Sequence, residues 1–192
     1  MKKVLWLGAV VLMVTTCGTI GQETPHMTLG QKAALFEHDM RQRFLLDGQA
    51  LCKLKLRAPD RPYISYNMPD NAYMTGIYLG TLALKYAATQ DPEVRKQASE
   101  SIRALHLLCT ISGRPGLLAR SAWPKDMPFS DDGDWQDAAD GRHKWRADVS
   151  SDQVDGVMFG YALAYDWVAS DEEEALIGRD VAAIADHILN NN

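Results

Sequence analysis

The spacing of apolar residues along the chain predicts five helices. Apolar positions recur at intervals of three and four residues over 28–45, 70–88, 91–113, 152–168 and from 170 onward. Asp91-Pro92 is a start signal for the third helix, and the Ser170 to Glu173 segment has the form of a capping box for the fifth. The pattern is therefore typical of a predominantly helical chain.

An internal repeat of about 80 residues groups these helices into pairs. Residues 70–80 return in altered form as residues 150–160, and each copy predicts a helix, a short turn and a second helix. A single αα-hairpin cannot bury its own apolar faces, so repeated hairpins favour a stacked or closed array. We therefore expect an all-α fold of antiparallel αα-hairpins.

Two stretches depart from the helical pattern. Residues 49–57 alternate between apolar and basic side chains, which predicts one short extended segment, and a proline-rich loop follows to residue 69. Residues 113–150 are rich in Gly, Pro, Asp and Trp and predict a long loop at one end of the array. Loops of this length are usually functional or disordered, and the tryptophans argue against disorder.

The first residues predict export. Lys2 and Lys3 precede an uncharged apolar run over 4–14, which is short for a membrane span and typical of a secretory signal. We expect a signal peptide over 1–21, followed by a helical-hairpin domain over 28–192. An alternative is a bacterial lipoprotein signal that ends at Cys17, in which case a lipid at that residue would be the membrane contact. Either alternative places the protein outside the cytoplasm.

The charge of the chain bears on nucleic-acid binding, and its cysteines bear on disulfide formation. The formal net charge is −5 and the chain has no basic stripe with interleaved aromatics, which argues against nucleic-acid binding. Beyond the signal, the chain has Cys52 and Cys109, each within an apolar run. They could form a disulfide or remain as buried thiols, and the sequence leaves both alternatives open.

Each predicted hairpin begins with a helix that contains a Gly-x-x-x-Gly pair. These are Gly76 with Gly80, and Gly156 with Gly160. A phosphate-binding role would require a preceding strand and a glycine-rich turn, which the pattern lacks. Because glycine inside a helix costs about 1 kcal/mol relative to alanine, its repetition favours close packing between helices.

Three carboxylates lie at the predicted helix starts. Asp70 precedes the second helix, while Asp152 and Asp155 lie one turn apart in the fourth. When two carboxylates lie close together, their pKa values can move apart, so that one group serves as an acid and the other as a base. The structural alternatives are that Asp70 and Asp152 cap their helices and that Asp155 favours the positive helix end.

The predicted long loop combines aromatic and polar side chains, as carbohydrate sites do. The candidates for substrate binding are Trp135, His143, Trp145, Arg146 and Asp148. A structural or solvated role is the alternative for His143. The Asp131-Asp132-Gly133-Asp134 segment lacks calcium-loop spacing and its terminal glutamate, so we predict no metal site and no cofactor.

The hairpin repeat, with Asp70-Asn-Ala-Tyr at one helix start and Ser151-Asp-Gln-Val-Asp at the other, resembles the six-hairpin glycosidases. The resemblance covers residues 28–190 and implies an (α/α)6 toroid, of which this chain has two to three hairpins. It implies that Asp70 and Asp155, with Asp152 beside them, act in acid/base catalysis on a polysaccharide or uronic-acid glycan. The aromatic and basic candidates of the loop would line the sugar cleft.

Since the expected barrel is incomplete, three alternatives stay open. The protein could be a carbohydrate-active enzyme, a non-catalytic envelope lipoprotein or helical-repeat binding module, or an inactive N-terminal part of a larger enzyme. An incomplete array also predicts self-association, because its open face would otherwise remain uncovered.

Overall fold

A computed structural model describes residues 27–60, 62–128 and 131–191. In chain order the elements are α1 (Leu29–Arg43), β1 (Leu45–Leu46), β2 (Gln49–Ala50), β3 (Lys53–Lys55), β4 (Ser65–Asn67), α2 (Asn71–Thr89), α3 (Pro92–Thr110), β5 (Ser121–Pro124), β6 (Trp135–Asp137), β7 (His143–Arg146), α4 (Ser151–Trp167) and α5 (Asp171–Asn190). The predicted signal peptide over 1–21 and Cys17 lie outside the described residues.

The prediction of an all-α fold is wrong, because the described residues form a mixed structure of α-helices and β-strands. Three small antiparallel sheets accompany the five helices: β1 with β2, β3 with β4, and β5-β7-β6. The sequence predicted one extended segment, yet 49–57 contributes two strands to different sheets, and the regions predicted as loops supply β4 to β7. These four strands have three or four residues each, too few for alternation to be recognised.

The glycine pairs join the two hairpins by bringing α2 and α4 into close parallel contact. A β-carbon on Gly76 would overlap the backbone of Gly156, and one on Gly160 would overlap Gly76. Residues of α2 thus lie beside the residues of α4 that follow them by about 80 positions, which is also the offset of the sequence repeat. The structural role predicted for the glycines is confirmed, and part of the repeat reflects this shared packing requirement.

The second helices of the hairpins, α3 and α5, also pack side by side. Arg95 of α3 forms an ion pair with Glu173 of α5 at 3.9 Å, and Nδ1 of His106 lies 2.9 Å from Asp180 of α5. The main core fills the space between the hairpins, with Leu79, Leu105 and Ile184 among its fully buried members.

The three-stranded sheet lies at the end of α2 where that helix begins. The amide of Ala72 in the first turn of α2 donates to the carbonyl oxygen of Arg120, directly before β5, and Ser121 donates to the carbonyl oxygen of Met68. A second, smaller core of Leu51, Met68 and Trp123 lies beside these strands. The segment predicted as a long loop therefore covers the start of α2 as a structured cap.

The first sheet is also anchored to this end of α2. Asp47 and Gly48 both have positive φ, at 48° and 82°, which forms the tight turn between β1 and β2. The buried side chain of Gln49 then pairs with the backbone of Ala122 in both directions, at 2.9 and 3.0 Å. A side-chain amide thus takes the place of a strand-to-strand backbone contact.

The two cysteines that the structure describes are free thiols in different environments. Cys52 lies near the start of α2, where the amide of Asp70 donates to its sulfur at 3.4 Å. Cys109 is buried in the main core. Of the helices within the described residues, none combines the length and apolar character that crossing a bilayer requires.

Candidate functional site

Arg120 connects the starts of α2 and α4, which lie side by side because the two helices are parallel. Its guanidinium donates to the carbonyl oxygen of Pro69 at 2.8 Å and to the hydroxyl of Ser150 at 2.9 Å. It also donates to the carbonyl oxygen of Asp148 and lies 3.7 Å from the carboxylate of Asp70. One largely buried cation therefore holds the residues that precede both helices.

Gln153 brings two of the predicted catalytic carboxylates together. Its amide nitrogen lies 3.2 Å from Oδ1 of Asp70 and 3.4 Å from Oδ2 of Asp152. Its amide oxygen accepts from the backbone N–H of Tyr73 at 3.2 Å, and the side chain has no solvent exposure. Because both carboxylates contact the same nitrogen, they can be no further apart than those two distances together. Carboxyl pairs that act on a glycosidic bond in glycosidases lie about 5 to 9 Å apart, and this upper limit overlaps only the lower part of that range.

The structure gives the three predicted carboxylates different surroundings. Asp70 does not cap α2 through its side chain, so the structural alternative proposed for it is not realised. Asp152 lies in the first turn of α4, where the hydroxyl of Ser150 donates to it and holds the pKa of Asp152 below its usual range. Asp155 is exposed and makes no hydrogen bond or ion pair within the described part of the chain.

Asp152 therefore pairs across the two helices with Asp70, through Gln153, whereas the sequence paired it with Asp155. Asp70 and Asp152 both accept hydrogen bonds from the amide of Gln153. Asp155 has neither a cation nor a hydrogen-bond donor beside its carboxylate within the described part of the chain. Of the three carboxylates, Asp155 is consequently the one whose oxygens are free to contact a ligand.

Two partly exposed aromatic rings lie along the α2–α4 contact, each one turn after one of these carboxylates. Tyr73 follows Asp70 by one turn, and its ring carbon Cδ2 would lie 2.7 Å from a β-carbon on Gly156. Phe159 follows Asp155 by one turn, and its ring carbon Cε1 would lie 2.6 Å from a β-carbon on Gly80. Each ring thus rests against a glycine of the opposite helix while remaining 36% and 46% exposed, respectively.

The loop residues predicted to bind substrate fall into separate groups. Trp145 is only 5% exposed and belongs to the main core, so its ring has no free face for a sugar. Arg146 and Trp135 converge on the buried carboxylate of Asp131, at 2.7 and 3.0 Å. That carboxylate also accepts from the backbone N–H groups of Met68 and Gly133, so these residues fasten the segment to β4.

His143 and Asp148 lie apart from that group. Nδ1 of His143 lies 2.5 Å from Asp140, and this contact holds the pKa of Asp140 at about 2. Asp148 is exposed with a positive φ of 60°, and its carbonyl oxygen accepts from Arg120. The backbone carbonyl oxygen of Arg146 accepts from the amide of Arg120, whereas that of Asp148 accepts from the guanidinium that joins the helix starts.

Sequence reasoning missed Arg120, Gln153, Tyr73 and Phe159. Gln153, Tyr73 and Phe159 all lie within the repeat, which was the signal available for them, and Gln153 occupies the position that corresponds to Tyr73. Arg120 lies 51 residues after Pro69 and 30 residues before Ser150, so it is distant along the chain from both helix starts. Its role depends on the sheet that carries it back to Pro69.

Comparison with protein-family models, with curated proteins and with solved structures finds no match. Across the described residues, no three His, Cys, Asp or Glu side chains converge in an arrangement that could hold a metal ion. The chemistry available at the helix starts is therefore that of carboxylates, one guanidinium and exposed aromatic rings.

Proposed function

We propose that this protein is an exported carbohydrate-active protein that hydrolyses a glycosidic bond in a polysaccharide or uronic-acid-containing glycan. The observation that carries the proposal is the cluster of three carboxylates at the helix starts, where Asp152 lies beside Asp70 at Gln153 and Asp155 follows Asp152 by one turn of α4. A pair of carboxylates across a scissile linkage is the usual arrangement of a glycoside hydrolase.

The residues take the following roles in the proposal. Asp155 takes the role of general acid toward the leaving oxygen, and Asp152, whose pKa is lowered by the Ser150 hydroxyl, takes the role of base or charge stabiliser. Asp70 and Arg120 fix the geometry of the helix starts. Tyr73 and Phe159 offer flat apolar faces on which sugar rings stack.

The parallel pairing of α2 with α4 and of α3 with α5 supports the proposed relationship to six-hairpin glycosidases. Both pairs have the relative direction that successive hairpins of an (α/α) toroid share. Fold analogy by itself is weak evidence for an activity, so the proposal depends on the carboxylates and the exposed rings.

The test is hydrolysis of a panel of neutral and uronic-acid polysaccharides, measured by the release of reducing ends. Asp155→Asn should lower the rate by about 10²- to 10⁴-fold, the usual effect of a lost general acid. Asp186→Asn, an exposed aspartate on α5, is the matched control and should leave the rate unchanged. Equal rates in both variants would refute the role of Asp155.

Measurements of glycan binding distinguish a catalytic protein from one that only recognises the glycan. Tyr73→Ala and Phe159→Ala should each weaken retention of the full chain on the polysaccharide that it hydrolyses. Binding of a glycan without turnover would support the alternative of a non-catalytic binding module. A protein that neither binds nor hydrolyses any member of the panel would contradict both functions.

A further inference from the structure

An apolar hollow lies between α4 and α5 in the second hairpin. It has a volume of about 450 Å³. Its lining is mainly apolar and includes half-exposed Tyr165: Met158, Tyr161, Ala162, Tyr165, Asp166, Ile177, Gly178 and Val181. The hollow therefore presents an uncovered surface of the kind that helices bury when they pack.

Gly178 marks this hollow as a place where a helix fits closely. The interior glycines of α2 and α4 each have a neighbouring helix within 3 Å of an added β-carbon. A β-carbon on Gly178, in the middle of α5, would meet no atom within 4 Å. Since glycine weakens a helix by about 1 kcal/mol relative to alanine, an uncovered glycine at this position is consistent with a partner that packs against it.

The opposite end of the array has a complementary surface in α1. Lys85 of α2 forms an ion pair with Glu37 of α1 at 2.6 Å. Lys85 follows Gly76 by nine positions, which at about 3.6 residues per turn is two and a half turns. It therefore lies on the side of α2 opposite to the α4 contact. The first two turns of α1 are exposed throughout, with Leu29 at 84% and Phe36 at 69%. The ion pairs of α1 lie in its later turns, so its first two turns offer exposed apolar side chains that a further helix pair could bury.

The charges of the two surfaces also match. Lys32 lies between Leu29 and Phe36 on the apolar stripe of α1, and its side chain forms no ion pair within the described part of the chain. Asp166 lines the hollow and Glu174 precedes Gly178 by one turn. Opposite charges at the rim would orient an incoming helix.

We infer that copies of this chain associate head to tail, with α1 of one copy in the α4–α5 hollow of the next. Leu29 and Phe36 would enter the hollow, with Ala33 above Gly178 and Lys32 near Asp166. Because the two contacting surfaces differ, each added copy leaves one α1 surface and one α4–α5 hollow free. Association therefore continues until a ring closes, or it forms an open chain.

The experiment is sedimentation velocity of the full chain over a range of protein concentrations. The wild-type protein should form species larger than a dimer. Gly178→Leu fills the hollow and Phe36→Asp places a charge on the stripe, and each should raise the dissociation constant by about tenfold or more. Both sites are exposed, so circular dichroism should show that both variants keep their helices.

Mixing the two variants identifies the geometry. Each retains one intact surface, so an equal mixture should form a dimer that neither variant forms alone and that cannot grow further. A wild-type protein that stays monomeric would overturn the proposal. So would association that survives both substitutions, or a mixture in which no dimer forms.

Discussion

Gly76 and Gly156 lie so close together that neither can carry a side chain. A β-carbon on Gly76 would overlap the carbonyl oxygen of Gly156, and one on Gly156 would come within 2.5 Å of Cα of Tyr73. This contact sets the distance between α2 and α4. It therefore also sets the distance between the carboxylates at the two helix starts.

We expect Gly76→Ala to lower the free energy of unfolding by about 1 to 3 kcal/mol or more, because the added methyl group meets rigid backbone. Gly178→Ala is the matched control. Its β-carbon enters open space, so in dilute protein it should raise stability by about 1 kcal/mol. Urea unfolding of both variants measures the difference, and equal effects would show that the α2–α4 contact is looser than described.

Replacement of Arg120 tests the cluster at the helix starts. Arg120→Ala leaves the carbonyl oxygen of Pro69 and the hydroxyl of Ser150 without this donor, and we expect a loss of about 2 to 4 kcal/mol. Arg142→Ala, which removes an exposed guanidinium, should change stability by about 0.5 kcal/mol or less. Similar unfolding midpoints for the two variants would contradict the connecting role of Arg120.

Asp131 should make stability depend on acid pH. Burial acts to raise its pKa, but hydrogen bonds from Trp135 and from the Met68 and Gly133 amides, together with the charge of Arg146, outweigh burial, so the pKa lies below its usual range. A pKa lowered by folding contributes stability that is present above the unfolded value, about 3.9, and lost as the pH falls through the folded value.

Asp131→Asn should therefore lower stability at neutral pH by about 2 kcal/mol, the scale of a charged hydrogen bond, and flatten the decline below about pH 4. Unfolding followed by tryptophan fluorescence at several pH values measures both effects. Asp132→Asn is the neighbouring control, since that carboxylate is exposed and accepts from Asn67 alone among the described contacts. If both variants keep the wild-type pH profile, Asp131 does not supply this dependence.

Two tyrosines provide a comparison of satisfied and unsatisfied hydroxyl groups. The hydroxyl of Tyr78 is buried without a partner among the described residues, and burial raises the pKa of Tyr78 to about 12. Tyr78→Phe should be neutral or stabilising by about 1 kcal/mol, because no hydrogen bond is lost. A clear loss of stability would indicate a partner for that hydroxyl.

Tyr161 is the opposite case, since its hydroxyl donates to the buried carboxylate of Asp180 at 2.8 Å. Tyr161→Phe removes that donor, and we expect a loss of about 1 to 3 kcal/mol. Thermal unfolding of the two variants in parallel measures the contrast. Identical effects from both substitutions would argue against the hydrogen bond to Asp180.

The sequence by itself determined the helices, their order and the packing role of the glycines. The helices are long, with caps such as Asp91 and Ser170, so their periodicity and their ends are local properties of the chain. The repeat also placed Asp70 and Asp152 at helix starts. The helices and their ends follow from contacts within a few residues, and the packing role of the glycines was readable because the Gly-x-x-x-Gly pair occurs in both copies of the repeat.

Only the tertiary structure decided the sheets and the composition of the candidate site. The strands are too short for a pattern, and they form because distant segments meet, as when Gln49 pairs with Ala122. Trp145 entered the core while Tyr73 and Phe159 stayed exposed, a difference that residue type does not predict. Arg120 reached both helix starts only because β5 returns the chain to Pro69, and long-range pairing of this kind leaves no local signal in the sequence.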